Sequence, residues 1–258
     1  MKIHILSKTD TEIKFLMEDL NPQFANALRR IMISEIPIMA INSVDFTENE
    51  SVLYNEVIAH RLGLVPLVFD IKKFHFKEED EKADSLSEVV LVISKKGPGM
   101  IYSKNIKSSD PDVKPLYDNI PIVELFDDQK LKLEASASLG YAKNHARYQA
   151  AIAHYRYFPT AVLKDKLTNQ EEVMKSCPKN AIKIDGKEVS VTMDCDLCKE
   201  CVKVAKPKGV LEIDGDPTRF IFNVESISGL NPEEIVLSAI DILKEKAKDF
   251  GKEVKKLK

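Results

Sequence analysis

The chain has 258 residues, of which 44% are hydrophobic and 31% charged, and its formal net charge is −3. This composition is typical of a globular protein, and the lack of a basic excess argues against direct binding of DNA or RNA. No apolar run approaches the roughly 18–20 residues of a membrane span, and residues 1–10 lack the apolar core of a signal peptide. We therefore expect a cytoplasmic protein with reduced thiols.

Short apolar runs predict several β-strands, and the alternation of apolar and polar residues is clearest in residues 131–137. Loops are predicted at residues 72–84, which are dense in charge, and at residues 108–115, which are rich in Ser, Asp and Pro. Strands or extended segments are predicted at residues 3–6, 13–17, 38–46, 89–93, 131–137 and 220–224.

Two helices are predicted in the first quarter of the chain. Asn21 and Pro22 fit the N-cap and the first helical position, and the helical spacing of apolar residues that follows ends at Pro37. A second amphipathic helix is predicted from about Tyr54 to Gly63, with the glycine as the natural C-cap.

A long C-terminal helix is predicted from Asn231, which precedes a proline and an acidic first turn with Glu234 at the third helical position. In residues 235–243, seven of the nine residues are apolar. A helix that faces one core needs a narrower apolar face, so this helix is predicted to be buried on two sides. The alternative is a central helix of a single core.

All four cysteines lie within 25 positions, as Cys177 followed by a proline and then Cys195, Cys198 and Cys201. Three thiolates spaced by two residues can each bind a different iron of one cubane cluster, and the fourth iron then needs a ligand from elsewhere. Bacterial two-cluster ferredoxins carry the run C-x2-C-x2-C-x3-C-P, whose fourth cysteine ligates the other cluster.

Residues 167–213 resemble such a ferredoxin with half of its ligands removed. Other residue types stand at the positions of the missing ligands, namely Leu167, Gln170, Val173 and Ala205. The cysteines that remain are the four that share one cluster in the parent fold. The resemblance therefore implies one iron–sulfur cluster held by Cys177, Cys195, Cys198 and Cys201, with [4Fe-4S] favoured and [3Fe-4S] an alternative if the iron bound by Cys177 is lost.

Other interpretations of the four cysteines remain open. Zinc uses the same thiolates, although structural zinc sites usually take two separated pairs rather than a tight triad. Disulfides are disfavoured in a reducing compartment. A degenerate module that binds nothing is the last alternative. The module occupies a small part of a much longer chain, which indicates an insertion into a host protein.

The host resembles the D-subunit family of archaeal RNA polymerases, which is similar to bacterial alpha and to the eukaryotic third-largest polymerase subunit. Three motifs carry the resemblance: FANALRR at residues 24–30, EVIAHRLGLVPL at residues 56–67 and FNVESISGL at residues 222–230. Some members of this family carry a ferredoxin-like insertion at the same point in the chain.

The resemblance implies an α+β fold with three parts. An alpha-subunit-like dimerisation domain is expected at residues 1–40 plus 221–258. A mixed-β insert domain is expected at residues 41–166 plus 214–220, and the ferredoxin-like iron–sulfur module at residues 167–213.

The resemblance also implies a non-catalytic scaffold subunit that pairs with a small partner, subunit L, and nucleates assembly of the large catalytic subunits. Arg29 and Arg30 match family arginines that lie toward the large subunits. Residues 145–148, His-Ala-Arg-Tyr, replace the family's usual His-Ala-Lys-Trp, so the contacts of that loop are in question. DNA and RNA are expected only through the assembled polymerase, and the sequence contains no acidic triad for magnesium and no phosphate-binding glycine loop.

The two apolar stripes of the C-terminal helix are predicted to face a partner and the chain's own sheet. The surface predicted to meet subunit L combines residues of the first helix with one stripe of the C-terminal helix. It consists of Leu28 and Ile31 together with Ile235, Ala239, Ile242 and Lys246. The stripe predicted to face the chain's own sheet consists of Val236, Ile240, Leu243 and Ala247. The sequence alone does not decide between this arrangement and its reverse.

A second function is compatible with the cysteines alone: an electron-transfer iron–sulfur subunit of a redox enzyme. A lone cluster can carry one electron, but transfer needs a second centre or a docking partner. The sequence offers no further cofactor motif, and the motifs around the module match polymerase subunits. The scaffold function is therefore preferred.

Overall fold

The computed structural model of the protein describes residues 1–76 and 86–256. Within them the fold is mixed α+β, as predicted. The helices are α1 (Pro22–Ser34), α2 (Asn55–Gly63), α3 (Gln170–Lys175), α4 (Glu200–Val204) and α5 (Pro232–Lys256). The strands are β1 (Lys2–Lys8), β2 (Glu12–Glu18), β3 (Ile38–Asn49), β4 (Leu67–Val68), β5 (Glu88–Lys96), β6 (Gly99–Tyr102), β7 (Lys107–Ser108), β8 (Lys114–Pro115), β9 (Pro121–Leu125), β10 (Lys130–Gly140), β11 (Ala151–Leu163), β12 (Ile182–Asp185), β13 (Glu188–Val191) and β14 (Leu211–Ser226).

The strands predicted from sequence are all present, most of them longer than predicted. Strand β14 begins nine residues before the predicted 220–224 and ends two residues after it; its first half was not predicted because that half is polar on its exposed face and gives a weak sequence signal. Residues 108–115 are mostly irregular, with short ladder pairs at each end. Residues 72–76 form a turn and irregular backbone, and the rest of the predicted loop at 72–84 lies outside the described residues.

One four-stranded sheet has the order β1-β2-β14-β11. Its core is aromatic: the Phe15 and Phe222 rings stack with centroids 5.2 Å apart, and Tyr155 meets Phe220 edge-on at 5.4 Å. The Tyr157 ring lies 5.3 Å from that of Phe220. Aromatic pairs at these separations add to the stability from area burial alone, so this cluster holds the long strands β11 and β14 together.

A second four-stranded sheet has the order β3-β10-β5-β7. The central strand β10 pairs antiparallel with both β3 and β5, and Ala135 lies opposite Val44 on one side and Leu91 on the other. Side chains alternate along β10 between buried and exposed, so the predicted inward face at residues 131–137 is confirmed.

The helix starts follow the predicted capping chemistry. The Phe24 N–H donates to Asn21 Oδ1 at 2.8 Å, and the Asn231 N–H donates to Glu234 Oε2 at 2.9 Å. The end of α2 differs from its prediction, because Leu64 closes the helix with φ −96° and no left-handed glycine is used. A Cβ on Gly63 would lie 3.3 Å from Arg147 Nη1, so the glycine is packed closely against that side chain.

The chain divides into two compact units. The first consists of Met1–Lys8, Ile13–Ala27 and His154–Asn223, and it contains the aromatic sheet and all four cysteines. The second consists of Thr9–Glu12, Leu28–Ala153 and Val224–Lys258. The boundaries of the three predicted domains stay predictions. Among the described residues, no helix has the length and apolar character needed to cross a membrane.

Candidate functional site

The cysteine segment has a small core of its own. The polypeptide between β11 and β14 forms α3, the β12–β13 hairpin and α4. Three residues at positions that the predicted ferredoxin-like module assigns to absent ligands, Leu167, Val173 and Ala205, are at most 3% exposed and lie in this core. At the fourth position, the Gln170 amide donates to the Gly186 carbonyl at 2.9 Å. Apolar packing therefore surrounds three of these four positions, and a hydrogen bond holds the fourth.

The four cysteines are free thiols with unequal exposure. Cys195 and Cys201 are buried, Cys177 is half-buried and Cys198 is exposed. Burial raises the pKa of Cys201, and the negative charges of the other three thiolates raise it further. Cys195 and Cys201 belong to the same small core, and Cys177 packs against it. In residues 1–76 and 86–256, no three His, Cys, Asp or Glu side chains are arranged to hold a single metal ion.

The backbone around the cysteines adopts left-handed conformations at residues other than glycine. Leu197 and Lys199, on either side of Cys198, both have φ 60°, and Asn180, three residues after Cys177, has φ 50°. Left-handed backbone costs about 1–2 kcal/mol per non-glycine residue and concentrates at functional sites. Such turns also aim successive N–H groups inward, as at many iron–sulfur sites.

Hydrogen bonds reach the sulfur atoms as well as the loop backbone. The Ala181 N–H donates to Cys177 Sγ at 3.3 Å. Desolvation alone would raise the pKa of Asp196, but hydrogen bonds from the thiol and N–H of Cys198, with the Lys179 ammonium at 3.5 Å, hold that pKa below its usual range. A carboxylate therefore stands beside the exposed Cys198.

Two strands of the aromatic sheet hold the cysteine loop, residues 195–201, by polar contacts. From β11, Arg156 Nη1 donates to the Cys195 carbonyl oxygen at 3.2 Å. From β14, the Asp214 carboxylate accepts a hydrogen bond from Lys199 Nζ at 2.6 Å. Sequence reasoning did not find these contacts, because the partners are far apart in the chain and carry no spacing motif.

A third contact between the sheet and the cysteine loop is steric. A Cβ on Gly215 would lie 2.4 Å from Tyr157 Cβ and 3.2 Å from Leu197 Cδ1. Glycine at this position of β14 therefore makes room for Tyr157 and for the left-handed Leu197 of the cysteine loop.

The residues predicted to meet a partner chain lie mainly inside this chain. Leu28, Ile31, Ile235 and Ala239 are at most 4% exposed, and Ile242 is half-buried. Residues that the chain covers completely leave no surface for a second chain. The predicted orientation of the two stripes is therefore reversed in the structure.

The stripe predicted to face the chain's own sheet is the exposed one. Ile240 is 39% exposed, and sequence reasoning missed two further members, Phe250 at 73% and Val254 at 41%. Spacings of four and three residues alternate along this stripe, as in the seam of a coiled coil. The same alternation continues beyond Ala247, the predicted end of the stripe, so it could have identified the two further members from the sequence. We call it the exposed stripe; it consists of Val236, Ile240, Leu243, Ala247, Phe250 and Val254.

Two of the three sequence motifs meet in the second unit. A Cβ on Gly229 would lie 1.9 Å from the Leu67 carbonyl oxygen, so the glycine of the third motif allows its backbone to press against the end of the second motif. In the first motif, on α1, Arg29 is half-buried and Arg30 exposed.

The loop at residues 145–148 has definite internal contacts despite its departure from the family pattern. Arg147 Nη1 donates to the Ile41 carbonyl oxygen at 2.7 Å. The Tyr148 ring lies against Gly140, where a Cβ would come within 2.5 Å of the ring. Arginine and tyrosine thus anchor this loop to β3 and β10.

A family model described as the RNA polymerase Rpb3/Rpb11 dimerisation domain matches residues 14–247. The DNA-directed RNA polymerase subunit Rpo3 of Methanobrevibacter smithii is 35% identical over 266 residues, covering 97% of each chain. The same subunit of Pyrococcus furiosus is 36% identical, covering 100% of this chain and 98% of its own. That of Methanothermobacter thermautotrophicus is 38% identical, covering 96% of each.

The chain belongs to the Rpo3 family. Members of this family, which is the D-subunit family of archaeal polymerases, are non-catalytic subunits of DNA-directed RNA polymerase. The resemblance predicted from the three motifs is thereby confirmed, since the match extends over almost the whole chain. The family model also extends over both compact units and over α5 as far as residue 247.

Proposed function

We propose that this Rpo3-family chain is an assembly subunit of an RNA polymerase that pairs through the exposed stripe of α5 with a smaller subunit, the counterpart of subunit L. The pair would then nucleate assembly of the large catalytic subunits. The observation that carries the proposal is the exposed stripe on α5, in a chain whose family model is a dimerisation domain.

The exposed stripe has the features of a helix-pairing surface. Its four-and-three spacing keeps six apolar positions on one side of α5 over about five turns. Burying one large apolar side chain stabilises an association by about 1.5–3 kcal/mol relative to leaving it in water. A continuous exposed surface of this kind is also an aggregation liability, which favours a permanent partner.

The other partners follow from the same proposal. Arg29 and Arg30 on α1 would face the large subunits, as the family resemblance implies. DNA and RNA would be reached only through the assembled polymerase, in keeping with the net charge of −3. The compartment would be the cytoplasm. The electron-transfer alternative draws no support from the comparisons, because the matched relatives are polymerase subunits.

We further propose that Cys177, Cys195, Cys198 and Cys201 hold one iron–sulfur cluster, [4Fe-4S] in preference to [3Fe-4S]. The donor set supports this proposal: Cys195 and Cys201 lie in one small core, Cys177 packs against it, and left-handed residues flank Cys198. Each thiolate of a cubane binds its own iron, so the sulfurs stand further apart than around a single zinc ion. When bound, the cluster would tie the turns around the cysteines together and could carry one electron.

Co-expression tests the assembly proposal. The full-length chain is produced alone and together with the smaller dimerisation-domain subunit encoded in the same genome, and both samples are sedimented. We expect a one-to-one heterodimer from co-expression and self-association of the chain alone. A well-behaved monomer that ignores the smaller subunit contradicts the proposal.

Metal analysis tests the cluster proposal separately. The full chain is purified without oxygen and assayed for iron, inorganic sulfide and zinc, followed by electron paramagnetic resonance of the oxidised and reduced samples. About four irons and four sulfides per chain support the cubane, and about three irons indicate the smaller cluster. Zinc in stoichiometric amount with no sulfide excludes both.

A further inference from the structure

Arg156 is placed where it can act on the cysteine loop from outside it. It lies on β11, in the aromatic sheet, and its guanidinium reaches the Cys195 carbonyl oxygen across 39 positions of sequence. Cys195 is the first ligand of the predicted triad and is 9% exposed. A hydrogen bond to the carbonyl of a ligand residue limits rotation of that residue's backbone, and therefore limits where its sulfur can point.

The charge of Arg156 differs from that of the lysines near the loop. Lys179 pairs with Asp196, Lys199 with Asp214 and Lys203 with Glu200, so each of these cations is matched by a carboxylate. Among the described residues, Arg156 forms no ion pair, and the residue is half-buried. An unmatched charge away from bulk water acts over a longer distance than a matched, exposed one.

We propose that Arg156 is a positioning residue for the iron–sulfur cluster: it fixes Cys195 through its carbonyl and favours the reduced cluster through its positive charge. This inference rests on the proposed cluster. Net charge and hydrogen bonding around the ligands are among the factors that set the potential of such clusters. Because a guanidinium stays protonated at all working pH values, the effect on the potential is independent of pH.

The test compares four full-length proteins purified without oxygen: the parent, Arg156→Met, Arg156→Lys and Arg219→Met. Arg219 is the matched control, since it is a half-buried arginine on β14 whose guanidinium contacts Asp216 at 2.7 Å and the Phe158 ring at 4.1 Å. Two quantities are measured: the midpoint potential, by redox titration followed by electron paramagnetic resonance, and the rate of iron loss to a strong chelator.

Arg156→Met is expected to shift the potential to more negative values and to release iron about tenfold faster, the effect of losing one charged hydrogen bond. Arg156→Lys keeps the charge but not the planar donor group, so it should retain the parent potential while losing iron faster. If the methionine variant does not fold, the lysine variant still tests the role of the planar donor group through its rate of iron loss. Arg219→Met should match the parent in both quantities.

Two results overturn the inference: an Arg156→Met protein with the parent's potential and iron-release rate, or an equal shift of the potential in Arg219→Met. If the parent itself holds no iron and sulfide, the proposed cluster fails and the role of Arg156 fails with it. If the parent holds the cluster but Arg156→Met changes neither the potential nor the rate of iron loss, the role of Arg156 is refuted while the proposed cluster stands.

Discussion

The Lys246 ammonium forms an ion pair with the Glu35 carboxylate, which joins the second half of α5 to the residue that follows α1. Both ends of the pair keep contact with water, since the Lys246 side chain is 52% exposed and that of Glu35 is 26% exposed. From the sequence, Lys246 is predicted to lie on the surface that meets subunit L, whereas in the structure its ammonium pairs with a carboxylate of the same chain.

Removing this ion pair should change stability very little. Exposed ion pairs are screened by water and are worth about 0.2–1 kcal/mol. We expect Lys246→Gln and Glu35→Gln each to lower the free energy of unfolding by less than about 1 kcal/mol, with the double variant no worse than the worse single one. Urea denaturation of the three variants at low and high salt checks this. A loss of several kcal/mol would show that the pair is far less solvated than its exposure indicates.

The two stripes of α5 should respond differently to the same substitution. Ile235 is fully buried within the chain, so Ile235→Asp should unfold or aggregate the chain itself, because the carboxylate would be buried without a partner. Ile240 is 39% exposed, so Ile240→Asp should leave the chain folded and prevent pairing with the smaller subunit. Circular dichroism and co-purification separate the two effects.

The control for this pair of variants is Lys248→Asp, which places a carboxylate at an exposed position of α5 outside the exposed stripe. It should preserve both fold and pairing. Heterodimer formation by Ile240→Asp at the parent's affinity would remove the exposed stripe from the interface.

Local features of this fold were predictable from sequence, and features that depend on distant residues were not. The caps at Asn21 and Asn231 and the alternation in β10 depend on neighbours within a few positions. The orientation of the α5 stripes was not predictable, because both stripes are apolar and only the placement of the helix in the second unit decides which is covered. The contact from Arg156 to Cys195 joins residues 39 positions apart and has no motif.

Gly215 should tolerate no side chain. A Cβ there would lie 2.4 Å from Tyr157 Cβ, a distance that requires either β11 or β14 to shift. We expect Gly215→Ala to lower the free energy of unfolding by about 1–3 kcal/mol, as overpacking does. Gly251→Ala is the control, since nothing lies within 4 Å of its Cβ position in α5, and it should stabilise the helix by about 1 kcal/mol. Thermal unfolding of both variants measures the two changes in stability. Equal changes in Gly215→Ala and Gly251→Ala would refute the steric argument.

Asp216 should make stability depend on acid. Its pKa is held below the usual range, first by the Thr218 hydroxyl at 2.6 Å and also by the Thr218 N–H and the Arg219 guanidinium. Because the pKa is lower in the folded state, the carboxylate stabilises the fold above its unfolded-state pKa, and this contribution is lost as pH falls through the folded-state pKa.

Asp216→Asn should therefore destabilise the chain near neutral pH and approach the parent's stability in strong acid. Urea denaturation across the acidic range gives the comparison. Asp118→Asn, at an exposed aspartate in a loop, is the control for the substitution itself and should keep the parent's stability near neutral pH. A constant difference between Asp216→Asn and the parent at all pH values would contradict the assigned linkage.

Cys198→Ser separates metal binding from packing at the cysteines. The Cys198 thiol is exposed, so its replacement removes a proposed ligand and almost no buried contact, whereas Cys201→Ser would also disturb the small core. We expect Cys198→Ser to lose cluster iron and visible absorbance, and to exchange amide hydrogens faster in residues 167–213, because a small core depends on its metal. Exchange in the aromatic sheet around Phe15 and Phe222 should not change.

Met193→Ser is the control, because Met193 is exposed in the same segment and is not a proposed ligand; this variant should keep its iron. Full iron content and unchanged absorbance in Cys198→Ser would refute the ligand assignment.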